Sequence, residues 1–99
     1  GTNLFEFWTE NLWYYDGVKI LSISPKEGYK IYSSGWSYTG KTVEAWYEYN
    51  NFDYIRNVEG NFELNIGIRW QKATVFHDTK VRAVGTWSAI SDIQWSWTN

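Results

Sequence analysis

Four aromatic residues set among charged residues have the clearest potential chemistry in this chain. An indole or phenol ring stacks on the C–H face of a sugar, while nearby charged groups hydrogen-bond its hydroxyls. The pattern therefore predicts a surface that binds glycan or cell-envelope material. The candidate ligand-binding residues are Tyr32, Trp36, Tyr38, Trp46, Glu44, Glu48 and Lys30.

Period-two alternation predicts that these rings lie on the exposed side of a sheet. Burying their charged neighbours without partners would cost several kcal/mol each. We therefore expect Trp36 and Trp46 to be exposed, and replacing either with alanine to abolish binding without lowering the melting temperature. Two alternatives remain open. The rings form cross-strand pairs that stabilise the sheet by about 0.2–1 kcal/mol each, or they are buried in an oligomer interface.

The aromatic content exceeds what the core of one small domain needs. The 99 residues include 8 Trp, 8 Tyr and 5 Phe. Such a surplus is typical of contact surfaces, where rings meet both apolar and polar groups. The net charge is −2 with both signs scattered, so no basic stripe is available to neutralise a phosphate backbone. We expect no nucleic-acid partner.

Catalytic and metal-binding chemistry is poorly represented. The chain has no Cys and one His, His77, which stands next to Asp78 in a predicted turn. Glu44 and Glu48 are four residues apart on one predicted strand, or roughly 13 Å, which is wider than glycoside hydrolysis uses. We expect no catalytic residue, metal site or cofactor, and hence a protein that is not an enzyme.

Alternating apolar residues and regularly spaced turns predict an all-β chain, folded as one domain over residues 1–99. The expected architecture is an antiparallel β-sandwich, with a small β-barrel as the alternative. Turns are predicted at Asp16-Gly17 as type I′, and also at 25–28, 39–41, 50–51, 57–61 and 77–80. The predicted strands are 3–8, 12–15, 18–24, 29–38, 42–50, 60–70, 73–77, 80–88 and 92–98.

Two runs are predicted to face the core. Phe62, Leu64, Ile66, Ile68 and Trp70 alternate with polar residues, and Gly67 among them predicts a bulge or a close backbone approach. In the last strand, Ile93, Trp95 and Trp97 form an apolar face. Trp87 is predicted to join the core beside Val81, Ala83 and Ala89.

The chain has no run of about 18 apolar residues, so no transmembrane segment is predicted. It also lacks Met, so we expect either a processed mature protein or a fragment of a longer one. A thiol-free, aromatic-rich small domain favours an extracellular location after removal of a signal peptide. The oligomeric state is left open, with a homo-oligomer as one possibility.

The segment Trp70-Gln71-Lys72-Ala73-Thr74-Val75, followed by an aromatic tail, resembles the corresponding part of lactococcin 972-type bacteriocins. The resemblance covers the last third of the chain, and the His-rich segment associated with that family is absent. It implies a secreted, Cys-free β-sandwich with antibacterial action on cell-wall synthesis. No functional residue is transferred from it.

Overall fold

The structure, a computed structural model, describes residues 3–67 and 69–98, except for the side chains of residues 66, 69 and 98. It consists of six β-strands and has no helix within the described ranges, so the all-β prediction is confirmed. The strands are β1 (Phe5–Tyr15), β2 (Ile20–Ile31), β3 (Trp36–Glu48), β4 (Asp53–Ile66), β5 (Arg69–Arg82) and β6 (Trp87–Thr98). Over these residues, no helix has the length and apolarity needed to cross a membrane.

The strands form two antiparallel layers. β1 and β2 make a two-stranded ribbon, and β3, β4, β5 and β6 make a sheet in chain order. We call the face of the sheet that contacts the ribbon the inner face and the opposite face the outer face. This arrangement agrees with the predicted sandwich, and the described strands do not close into the barrel considered as the alternative.

The core lies between the ribbon and the inner face, in two clusters. The first contains Phe62, whose ring centroid is 4.1 Å from that of Phe5, and Phe7, which lies over Gly60. A Cβ at Gly60 would be 2.6 Å from the Phe7 ring, so glycine allows this close approach. The second cluster, near the opposite ends of the strands, is built from Ile20, Tyr54, Val81 and Ala83.

An ion-pair network connects the two layers. Glu27 of β2 has a side chain that is only 3% exposed, and it accepts two hydrogen bonds from Arg56 of β4 and one of 2.9 Å from Lys41 of β3. Burial alone would raise the pKa of Glu27, but these hydrogen bonds outweigh it and lower the pKa to about 2. The carboxylate therefore stays charged between the layers and joins β2 to two strands of the sheet.

A β-bulge interrupts β3. Tyr38 pairs with Phe62 and Gly40 pairs with Asn61, so Thr39 has no partner on β4. Gly40 has a φ of 134°, a conformation that side chains rarely adopt. Because one extra residue is inserted, side chains that face inward are even-numbered before the bulge and odd-numbered after it.

Several predicted turns are wrong because the strands are longer than the local signals suggested. Residues 25–28 lie within β2, residues 39–41 within β3, residues 57–61 within β4 and residues 77–80 within β5. Cross-strand hydrogen bonds and inward packing override the turn tendency of Gly, Asn and Asp at these positions. The predicted strand boundaries at these points are corrected accordingly.

Two predicted reversals are confirmed. The chain reverses at Asp16-Gly17, as predicted. The turn is not type I′, because of its two central residues only Gly17 has positive φ. The Asp16 carboxylate stabilises the reversal by accepting hydrogen bonds from the Val18 and Lys19 amides. These hydrogen bonds lower the pKa of Asp16. The second reversal is at 50–51, where both asparagines have positive φ.

The two predicted core runs are also corrected. The run from Phe62 to Trp70 is not one strand, because Gly67, with φ of 58°, lies in the turn between β4 and β5. Phe62 is fully buried and Leu64 packs against the core, whereas Ile68 and the side chain of Ile66 lie outside the described residues. Trp70 belongs to β5.

The apolar residues of β6 are largely exposed, contrary to the prediction that they fill the core. Val81 and Ala83 are buried as predicted, but Ala89 and the four large residues are not. The reason is that the ribbon covers little of β6, although Phe5 contacts Trp95 there. The exposed large residues are Trp87, Ile93, Trp95 and Trp97.

Candidate binding surface

The structure separates the seven predicted ligand-binding residues into three places. The bulge at Thr39 separates those on β3, since it reverses the alternation between Tyr38 and Trp46, and Lys30 and Tyr32 are separate because β2 belongs to the ribbon. Before the bulge, Trp36 faces inward and is 7% exposed, with its ring centroid 5.0 Å from that of Phe5. The prediction that Trp36 lies on an exposed surface is wrong, and this residue belongs to the core.

Tyr38 also faces inward and is half-buried. Its ring stacks on that of Tyr29 with a centroid distance of 4.0 Å, and it contacts Phe62 edge-on at 5.4 Å. Burial raises the pKa of the Tyr38 hydroxyl. Tyr38 therefore joins the ribbon to the sheet, and its predicted place on the exposed face is corrected.

Lys30 and Tyr32 are exposed but lie at the end of β2, on the ribbon. The Lys30 ammonium is 5.1 Å from the centre of the Tyr32 ring. A hydrogen bond to Glu6 raises the pKa of the Tyr32 hydroxyl. The pair is exposed as predicted, but it belongs to the other layer and forms no continuous surface with Trp46.

The remaining three residues, Glu44, Trp46 and Glu48, share the outer face after the bulge. Trp46 is 40% exposed, and its Nε1 donates a 2.9 Å hydrogen bond to Oε1 of Glu48. It pairs across the strands with Ile55, which is buried although it points outward. The indole is thus held on two sides while part of its surface remains open.

A shallow cleft of about 270 Å³ lies beside Trp46. The cleft is formed by two adjacent rows of residues, each of which runs across β3, β4 and β5. Trp46 lies in the next row, about 7 Å along the strand from Glu44. This volume is just below the roughly 300–1,000 Å³ of typical ligand pockets, so it suits a single ring resting on the sheet. The lining residues are Thr42, Glu59, Phe76, Glu44, Asn57 and Asp78.

The outer face as a whole is acidic. Among the described side chains, its outward positions carry seven carboxylates and three cations. Anionic ligands would therefore meet a repulsive field, whereas ligands with hydroxyl or ammonium donors would find acceptors. The carboxylates belong to Glu44, Glu48, Asp53, Glu59, Glu63, Asp78 and Asp92, and the cations to Lys72, Lys80 and Arg82.

Most residues of the cleft are absent from the predicted ligand-binding set. Asn57 and Glu59 were assigned to one turn and Asp78 to another, which hid the outward alternation of β4 and β5. The signal that would have revealed them is the period-two spacing of Phe76, Asp78 and Lys80, continued without a break through His77.

His77 connects the layers. Its Nε2 lies 2.7 Å from the carbonyl oxygen of Phe7, which can only accept, so Nε2 donates, and Nδ1 lies 2.7 Å from Oγ of Ser91. Both ring nitrogens are therefore engaged within the fold. In the part of the chain that the structure describes, no group of three or more His, Asp or Glu residues is placed to hold a metal ion.

Comparison with known proteins finds no family model, curated protein or solved structure that matches this chain. The resemblance to lactococcin 972-type bacteriocins therefore stays a prediction. The residues that carry it begin β5, where the Lys72 ammonium is 5.8 Å from the centre of the Trp70 ring.

Proposed function

We propose that this protein is a non-catalytic, extracellular binding protein that recognises glycan or cell-envelope material on the outer face of its four-stranded sheet. The observation that carries the proposal is Trp46, which is held by Glu48 and Ile55 and is still 40% exposed beside a cleft lined with carboxylates. Trp46 stacks on one sugar ring, and the cleft receives the hydroxyls of the next.

The chemistry of the cleft supports a sugar more than an apolar ligand. Phe76 contributes a second ring, while Thr42 and Asn57 both donate and accept hydrogen bonds. The Glu44 and Glu59 carboxylates accept from hydroxyls, which sugars present in pairs. Aromatic plates next to fixed polar groups are the usual composition of such sites.

The negative charge of the outer face limits which sugars can bind. We propose that neutral and amino sugars bind, whereas uronic acids and phosphorylated glycans are excluded by the carboxylates around Glu44 and Asp78. Titration calorimetry with cellohexaose, chitohexaose, a glucosamine hexamer and a galacturonic acid hexamer tests this ordering. Tighter binding of the galacturonic acid hexamer than of all the others would contradict it.

Trp46→Ala is the decisive variant. We expect it to weaken binding of the preferred hexamer at least tenfold, or about 1.4 kcal/mol, while the melting temperature changes little because the indole is partly solvated. The measurement is calorimetry with thermal unfolding of the same samples. Trp46→Tyr keeps a ring in place and should retain part of the affinity.

Trp97→Ala is the control, because Trp97 is also an exposed indole, at 70%, but points to the inner side of β6. It should bind the hexamer as the wild type does. Unchanged affinity in Trp46→Ala, or an equal loss in Trp97→Ala, would place the binding surface elsewhere. Failure of every hexamer to bind would reject the function.

The absence of catalysis and the antibacterial alternative are tested with the same protein. Incubation with the bound hexamer should release no new reducing ends, and release that Glu59→Gln abolishes would instead indicate a glycosidase. A growth-inhibition spot test examines the bacteriocin-like alternative, since a pure binding protein leaves no clearing zone.

A further inference from the structure

The inner face of β6 is a largely uncovered apolar surface, which we call the β6 shelf. Most of the ribbon lies over β5, where Phe7 is beside His77 and Nε1 of Trp13 donates to the Arg82 carbonyl, and at β6 Phe5 contacts Trp95. Trp87 is consequently 63% exposed and Trp97 70% exposed. The β6 shelf consists of Trp87, Ala89, Ser91, Ile93, Trp95 and Trp97.

The open side of the sandwich has space for one more strand beside β1. A groove of about 430 Å³ lies between β1 and β6, with Asn11 and Trp13 on one side, Val81 below and Trp87 on the other side. Oδ1 of Asn11 is buried there without a hydrogen-bond partner. A neighbouring donor would satisfy this oxygen, which otherwise carries a desolvation penalty.

The two strands that border the groove have free edges. Among the described strands, β1 pairs only with β2 and β6 only with β5. The Phe7 carbonyl accepts from His77, so it points away from β2. Because backbone groups alternate in direction along a strand, the N–H and C=O groups of Thr9, Asn11 and Trp13 also point away from β2. One more strand placed beside these residues would lie directly above the β6 shelf.

Edge protection differs between the two sides of the molecule. The side formed by β2 and β3 carries Pro25, Lys26, Lys30 and the bulge at Thr39, all of which oppose pairing with another strand. In contrast, β1 and β6 contain neither Pro nor Lys, and their charged residues are Glu6 and Glu10 of β1 and Asp92 of β6. The less protected edges are thus the two that border the apolar groove.

We propose that a second copy of this chain occupies the groove and forms a two-fold dimer in which β6 of each copy pairs with β1 of the other. Within one copy β1 runs antiparallel to β6, because Phe5 contacts Trp95 near the end of β6 and Trp13 contacts Arg82 near its beginning. A two-fold axis parallel to the strands places the ribbon of one copy at the level of the other copy's sheet. Rotation about this axis leaves the direction of every strand unchanged. It therefore creates antiparallel β1–β6 pairs on both sides at once.

The match in size supports this occupant. β1 has 11 residues and β6 has 12, so the pairing strands are of equal length within one residue. The dimer contains two continuous six-stranded sheets, and the two β6 shelves pack against each other. At about 200 Å² of surface per indole, the exposed parts of Trp87, Trp95 and Trp97 amount to about 350 Å² per copy. This is nearly half of the roughly 800 Å² that each partner buries in a standard interface, before other residues are counted.

Sedimentation over a range of about 1–200 μM tests the dimer. We expect the wild type to form a species of twice the 11.8 kDa chain mass. Trp97→Lys places an inward-pointing charge at the interface and should raise the dissociation constant at least 30-fold. Ile90→Ser is the control, since Ile90 is similarly exposed but points to the outer face of the same strand, and it should leave the dimer intact.

Cross-linking tests the pairing itself, and the cysteine-free chain makes it direct. Glu10→Cys protein is mixed with each of the Ile90→Cys, Asp92→Cys and Gln94→Cys proteins and oxidised. We expect a disulfide-linked heterodimer for at least one mixture, and none when Thr42→Cys replaces the β6 variants.

Three outcomes would overturn the proposal: a wild type that stays monomeric over the whole range, a dimer that survives Trp97→Lys, or no β1–β6 cross-link in a confirmed dimer. Thermal unfolding verifies that each variant is folded, and Trp87→Lys substitutes for Trp97→Lys if the latter is not. Loss of hexamer binding in Trp97→Lys would show instead that a glycan occupies the groove. Trp46→Ala should leave the dimer unchanged, so the two proposals fail independently.

Discussion

Trp36 belongs to the core in the structure, although it is predicted from the sequence to be exposed. It packs among Phe5, Phe62 and Trp95 at 7% exposure, close to the centre of the first cluster. Its neighbour in the predicted row, Trp46, is 40% exposed on the opposite face. The same residue type therefore has two different physical roles, and the two roles respond differently to truncation.

Trp36→Ala should lower the free energy of unfolding by about 3–5 kcal/mol, because it removes a buried indole and leaves a cavity in the first cluster. Urea unfolding followed by circular dichroism measures the change. Trp46→Ala, on the outer face, is the comparison and should differ from the wild type by less than about 1 kcal/mol. Wild-type stability in Trp36→Ala would contradict the core placement.

At the scale of the element, the bulge in β3 decides which residues meet the core. Without the extra residue, Trp36 and Trp46 would point to the same face, as simple alternation predicts. Thr39 itself is exposed, and Gly40 supplies the unusual backbone conformation. The bulge thus allows β3 to contribute rings to the core in its first part and exposed side chains to the outer face in its second part.

Deleting Thr39 should therefore unfold or strongly destabilise the protein, because one half of β3 must turn its side chains to the wrong face. The expected loss is at least the roughly 3–5 kcal/mol of burying Trp36, a large share of the 5–15 kcal/mol typical of a domain. Thermal unfolding and tryptophan fluorescence report it. Thr39→Ala keeps the extra residue and should be nearly neutral; equal melting temperatures for the deletion and Thr39→Ala would exclude this role of the bulge.

At the scale of the whole molecule, the contact between the two layers depends on both packing and charge. The molecule is elongated, with extents of 55 × 21 × 21 Å, so the ribbon meets the sheet along a narrow strip. Glu27, Arg56 and Lys41 lie in that strip together with the apolar clusters. The stability of the entire fold should therefore follow the protonation of Glu27.

The pKa of Glu27 falls from its usual 4.5 to about 2 in the folded protein. Its stabilising contribution is complete above pH 4.5 and is lost as the pH falls toward 2, an interval worth roughly 3 kcal/mol. Glu27→Gln should lower stability at pH 7 by about 3–5 kcal/mol, because Arg56 stays buried without its carboxylate. It should also reduce the dependence of stability on pH between 4.5 and 2.

Urea unfolding at a series of pH values from 7 to 2 measures this dependence. Glu10→Gln, an exposed carboxylate on β1, is the control and should follow the wild-type curve. If the curves of Glu27→Gln and the wild type were parallel throughout, the ion-pair network would not be the source of the acid sensitivity.

The features that the sequence alone determined are the ones that depend on near neighbours in the chain. Alternating apolar residues and the lack of helical spacing were enough for the all-β class. The reversals at Asp16-Gly17 and 50–51 were also predictable, because these residues favour turns through their own backbone and side-chain hydrogen bonds. The placement of Trp46, Glu44 and Glu48 on one face was predictable from alternation within one uninterrupted half of β3.

Only the tertiary structure decided which faces are covered. Whether the apolar side of β6 is core or surface depends on how far the ribbon extends over the sheet, and nothing in the residues of β6 records that distance. The bulge at Thr39 is similar, since it depends on the register with β4 across more than twenty residues. Burial is a property of two surfaces in contact, so a strand's own pattern specifies its two faces but not which of them meets a partner.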